Sequence, residues 1–150
     1  MENVKIQEKG LLQKRITDLE NYQIQLDKLR EVEKIVLKSD LKDIDTIYKV
    51  YDWVTQLCNE REEINNFRYD TKHYFLIIAA LLYSPRIFAG QFLERGKRDV
   101  IAEVLNLSPS HISNSLRSVC SWYKFYKDFQ SSLDYLYSEI LHRIDLYGLK

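Results

Sequence analysis

Residues 100–119 read VIAEVLNLSPSHISNSLRSV, and their local chemistry predicts two short helices joined by a tight turn. Ile101, Ala102 and Leu105 share one face of a helix that starts near Lys97, Leu107 follows in the turn, and Ile112, Leu116 and Val119 share one face of the next helix. Ala102 is small, as a close helix crossing requires. Asn106 stands where a chain reversing between helices needs a left-handed residue, a conformation that asparagine tolerates better than any residue except glycine. Ser108-Pro109 is a strong helix start. The hydroxyl accepts backbone N–H bonds, and proline takes the first helical position, where its missing N–H costs nothing.

Outward from this stretch the pattern stays helical. Leu12, Leu19 and Leu26 recur every seven residues with Tyr22, Leu29 and Val36 beside them, so Gly10 to Leu37 reads as a long helix carrying an a/d stripe. So narrow a stripe suits a partner helix better than a broad core. Ser39 to Asp43 supplies capping oxygens and a break, after which Ile44, Ile47, Tyr48, Tyr51, Val54 and Cys58 trace a second amphipathic helix to about Ile64. Asn65-Asn66 marks a loop. Asp70 or Thr71 caps a third helix, apolar nearly all round and therefore central, which Ser84-Pro85 ends. After Val119, the residues Trp122, Tyr126, Phe129, Leu133, Leu136 and Ile140 continue at helical spacing, as one long C-terminal helix or two with a break near Ser131-Ser132.

The expected class is therefore all-α: an N-terminal helical hairpin over residues 1–66, read as an oligomerisation or partner-binding arm, followed by a two-helix corner and a long C-terminal helix over 67–150. Composition agrees, since four glycines and two prolines in 150 residues are too few for the frequent turns of a sandwich or barrel. Formal charge sums to zero, which argues against a polybasic tail. The distribution is uneven, however: Arg86 to Lys127, the region around the stretch quoted above, holds seven basic residues against three acidic ones, a net +4.

Other classes find little footing. Cys58 and Cys120 sit alone in helical patterns, without ligand or CxxC spacing, and read as small apolar groups in a reducing compartment. His73, His111 and His142 lie far apart, and no phosphate-binding glycine loop, HExxH or GxSxG is present, so neither enzyme, metal, cofactor nor small-molecule substrate is expected. The apolar run Tyr74 to Tyr83 is too short to cross a bilayer and no signal peptide opens the chain, which predicts a cytoplasmic protein without a membrane partner. The aromatics of SWYKFYKDF read as core or interface packing, with Lys124 and Lys127 on the exposed side.

The stretch IAEVLNLSPSHISNSL resembles the helix–turn–helix of LuxR-type response-regulator DNA-binding domains, sigma-factor C-terminal domains and many phage and mobile-element regulators. Those run I-A-x-x-L-x-[IL]-S-x-x-x-[VI]-x-x-x-L, and Ile101, Ala102, Leu105, Leu107, Ser108, Ile112 and Leu116 fill all seven fixed positions. Asn106 replaces the usual turn glycine. The resemblance covers roughly twenty residues. It implies that Pro109 to Val119 enters a DNA major groove, with Ile112, Leu116 and Val119 inward and Ser110, His111, Ser113, Asn114 and Arg117 toward the bases or phosphates. Ser108 and the free N–H groups at that helix start suit a phosphate, and Lys97 and Arg98 suit the backbone.

One recognition helix seldom gives adequate affinity, so the expected protein is a transcriptional regulator of phage or mobile-element type on double-stranded DNA, acting as a homo-oligomer through Leu12, Leu19, Tyr22, Leu26, Leu29 and Val36. Two alternatives remain open. One resembles the phage small terminase subunit, which joins a helix–turn–helix to a helical oligomerisation region but usually places the DNA-binding part first. The other is a helical adaptor in which the leucine stripe binds another protein and the corner is scaffold.

Overall fold

The computed structural model describes residues 2–64 and 69–150, with side chains from Gly10 onward. The expected Asn65-Asn66 loop lies outside the described residues. Six α-helices and two 3-10 turns, with no strand among the described residues, make the chain all-α: α1 (Glu2–Val36), α2 (Ile47–Glu60), α3 (Thr71–Tyr83), α4 (Arg95–Leu105), α5 (Pro109–Phe125) and α6 (Lys127–Leu146). The chain divides into two compact units, Met1–Lys38 and Ser39–Lys150.

The first unit is α1, 35 residues and about 52 Å long at 1.5 Å per residue. From Gly10 to Val36 its side chains are exposed, apart from a half-buried Leu26. Leu12, Leu19, Tyr22, Leu29 and Val36 each keep more than half of their surface in water.

In the second unit α3 is the centre. Its side chains from Tyr74 to Ala80, with Leu82 and Tyr83, are buried, and α2, α4, α5 and α6 all pack against it or one another. Asp70 starts the helix with a reciprocal cap: its carboxylate accepts from His73 N–H at 3.2 Å, while the His73 Nδ1 accepts from the Asp70 N–H at 3.1 Å. Two buried phenols find backbone acceptors, Tyr74 donating to the Ile64 carbonyl at 3.1 Å and Tyr83 to that of Asp43 at 3.0 Å. At the other end Ser84 stops the helix before Pro85 begins a 3-10 turn, and Gly90 takes the left-handed conformation after it. α6 lays one stripe, Phe129, Leu133, Leu136, Ile140 and Ile144, into the same core.

Three expectations are corrected. The division at residue 66 is not where the packing divides: α2 buries Ile47, Val50, Val54, Leu57 and Cys58 in the same core as α3 and α6, so it belongs to the compact unit and not to an arm over 1–66. Its inward face is also rotated, because Tyr48 is 45% exposed while Val50 and Leu57 are enclosed. The C-terminal break falls at Tyr126, not at Ser131-Ser132. Tyr126 is extended (φ −113°, ψ 110°) and separates α5 from α6 by one residue. That turn brings Phe129 into an aromatic cluster, stacked on Tyr74 at 4.9 Å and tilted against Tyr69 at 5.0 Å, and the buried stripe then carries α6 straight through the two serines.

No helix among the described residues is long and apolar enough to cross a membrane.

Candidate nucleic-acid interface

The corner between α4 and α5 is fixed by backbone chemistry at each residue. Asn106 takes φ 55°, ψ 47°, the only non-glycine residue with positive φ among the described residues. Its N–H donates to the Glu103 carbonyl at 3.2 Å, and the Leu107 N–H donates to Ala102 at 2.9 Å. These two bonds close α4 with a Schellman motif and satisfy carbonyls that would otherwise be orphaned. Ser108 is extended (φ −71°, ψ 150°), and its Oγ accepts from the His111 N–H at 3.2 Å, with Pro109 opening α5. Ile112, Leu116 and Val119 are fully enclosed, as are Ile101, Ala102 and Leu105 on α4. The rotation of α5 about its own axis is therefore set by three anchors on one face.

On the opposite face Ser110, His111, Asn114 and Arg117 are exposed, and so is Ser108 at the turn, while Ser113 is half-buried. These six share one side of α5. Lys97 and Arg98 do not join them as free cations. The Lys97 ammonium donates to the Tyr83 carbonyl and pairs with Glu94 at 3.3 Å. Tyr83 O also accepts from Ser39 Oγ at 3.0 Å, so Lys97 closes the C-terminus of α3, a position that favours a cation. Arg98 is half-buried, and its Nε has no hydrogen-bond partner among the described residues.

A feature absent from the sequence reading lies beside the exposed face. Ser113, Arg117, Ser121 and Lys124 form one wall of an open groove of about 480 Å³, and the segment from Gly90 to Leu93 forms the other. Phe92 and Phe125 border it, 94% and 75% exposed, and Arg95 is exposed nearby in sequence at the start of α4. Arg117 and Lys124 are seven residues apart on α5 and so fall on the same side. The only sequence signal for this surface was the i, i+4 recurrence of Ser113, Arg117 and Ser121; nothing local announced that residues 90–93 would flank it.

Of the aromatics in SWYKFYKDF, Trp122 and Phe129 pack inward: Trp122 meets His73 at 4.8 Å and Tyr69 at 5.6 Å. Phe125 points to solvent. Cys58 and Cys120 are free thiols, the first buried and the second half-buried, and burial raises both above the ordinary thiol range. Among the described residues no three His, Cys, Asp or Glu side chains converge as a metal ion requires. Compared with family models, with curated proteins and with solved structures, the chain matches none.

Proposed function

We propose that the chain is a sequence-specific DNA-binding protein, a helix–turn–helix regulator of phage or mobile-element type that reads a major groove with α5 and works as an oligomer through α1. The observation that carries the reading is the pairing of a rigid corner with a polar outer face. Asn106 and the Ser108 cap hold α5 at a set angle, and Ser110, His111, Asn114 and Arg117 stand exposed opposite its three anchors. Asn114 pairs with an adenine edge and Arg117 with guanine or a phosphate, which are the pairings their donor and acceptor geometry favours. Arg95, Arg117 and Lys124 are the exposed cations next to that face, in place of the engaged Lys97.

Selection from random duplexes at two salt concentrations tests the proposal. The expected result is one enriched motif that Asn114→Ala and Arg117→Ala blur, with affinity falling about tenfold or more per substitution. If three cations per protomer each meet one phosphate in a dimer, log K against log salt has a slope of about −5. Enrichment of no motif, with both variants binding like the parent, would overturn it. The adaptor reading keeps one specific support, the exposed apolar stripe of α1. It gains if substitutions at Leu19 and Leu26 abolish a protein contact while the α5 variants change nothing.

A further inference from the structure

The exposed stripe of α1 is interrupted by charge at two places, and their positions carry information about what covers it. With Leu12, Leu19 and Leu26 at a, the same heptad places Tyr22, Leu29 and Val36 at d. It also places Glu33 at a and Arg15 at d, both exposed like their neighbours. Among the described residues neither charge is matched along the seam of a single helix: the ion pairs found there in α1 are Arg30 with Asp27 and Lys34 with Glu31.

We infer that α1 pairs with a second copy of itself as an antiparallel coiled coil, centred on residue 24. The inference rests on the proposed oligomer and names its geometry. In an antiparallel pair each a residue faces a d residue of the copy. If Glu33 faces Arg15, the indices of every facing pair sum to the same number, and the remaining layers follow without choice: Leu12 on Val36, Leu19 on Leu29, Leu26 on Tyr22. The apolar residues at a and d from Leu12 to Val36 all meet apolar ones, and the two charged residues meet each other, twice by symmetry. Beside the dyad, Gln23 lies near Gln23 of the copy and Gln25 near Gln25, neutral amides able to hydrogen-bond.

The parallel alternative fails on the same residues. In register, each layer brings a residue onto its own copy, so Arg15 meets Arg15 and Glu33 meets Glu33, two like-charge layers. Sliding the antiparallel pair by one heptad breaks the match in either direction: one slide sets Arg15 against Leu26, and the other sets Glu33 against Tyr22. Charge complementarity thus selects one register, which pairs residues 12–36 of each copy. That register sends the two chains out at opposite ends, with Val36 and its copy about 36 Å apart along the axis at 1.5 Å per residue.

Charge reversal in the full-length chain is the test, read by sedimentation across a concentration series. R15E sets Glu against Glu33, and E33R sets Arg against Arg15; each weakens the dimer by about tenfold or more. The double variant R15E/E33R restores opposite charges in both layers and returns to within about threefold of the parent. A spin label at Lys14→Cys, with Cys120→Ser to keep the label in one place, reports orientation. The antiparallel pair holds the two labels about 30 Å apart along the axis, and a parallel pair within about 20 Å. A dimer with the short distance, or with single variants as tight as the parent, overturns the antiparallel arrangement while leaving oligomerisation intact. A chain that stays monomeric at every concentration overturns both. DNA selection with the same variants, whose α5 is untouched, separates either failure from a failure of the DNA reading.

Discussion

α1 and the unit from Ser39 to Lys150 use similar residues to opposite ends. In α1, Leu19 keeps 59% of its surface in water; in the compact unit, Leu136 keeps none. Both belong to amphipathic stripes with three- and four-residue spacing. What differs is breadth and supply of partners. α6 has Tyr69, Tyr74 and α2 to pack against within its own chain, whereas the apolar side chains of α1 stand in water apart from a half-buried Leu26, Ile24 and Ile35 off the seam as well as Leu19 on it. A stripe becomes core only when another apolar surface meets it, and a long helix gains most of its stability from such packing and less from propensity. The compact unit is therefore stable by intramolecular contacts, whereas α1, on the proposed reading, depends on association.

The sharpest way to break this contrast is to truncate one residue in each region. Phe129→Ala removes a fully enclosed ring from the Tyr69, Tyr74 and Trp122 cluster and should cost about 3–5 kcal/mol. That is a large part of the stability of a domain this size, and denaturant melts will register it. Leu19→Ala should leave the same melt unchanged within about 0.5 kcal/mol when the chain is dilute. A comparable loss from both would show that the stripe of α1 is core after all.

The next effect follows from the buried phenols, which only the compact unit has. Burial pushes Tyr74 and Tyr137 up to about 12, and raises Tyr83 as well. Each is neutral in the fold and would ionise near 10 once exposed. The unfolded chain thus releases protons first, so this stabilisation is complete below about pH 10 and declines as pH climbs toward 12. Phenolate absorbance should rise in two stages, the second coincident with loss of helical circular dichroism. Simultaneous ionisation of all eleven tyrosines, with the fold intact, would contradict that order.

Smaller changes probe the corner that aims α5. Ser108→Ala loses the bond to the His111 N–H and should cost about 1 kcal/mol. Asn106→Val forces a β-branched residue to φ 55° and should cost about 1–2 kcal/mol, whereas Asn106→Gly should be neutral or slightly stabilising. The smallest effect expected is at Ser84, whose buried hydroxyl has no hydrogen-bond partner among the described residues. Ser84→Ala gives up no bond, so the melting midpoint should hold or rise slightly.

Much of this was legible before any coordinates, and what was legible is local. Asp70 capping α3, Ser84-Pro85 ending it, Asn106 in the left-handed conformation and Ser108-Pro109 starting α5 are all interactions spanning at most five residues. The all-round apolarity of Tyr74 to Tyr83 announced a central helix, because no other position in a small domain buries every face.

What the sequence by itself determined is the all-α character, the corner between α4 and α5, and which residues of α5 face outward, since capping and periodicity act between near neighbours. Tertiary packing alone decided that α2 joins the compact unit with Val50 and Leu57 inward and Tyr48 outward. It also decided that the chain turns at Tyr126 to deliver Phe129, that Lys97 closes α3, and that residues 90–93 wall a groove along α5. Each of those depends on groups distant in sequence. Their free energy exists only once two surfaces meet, and no short stretch of residues encodes the meeting.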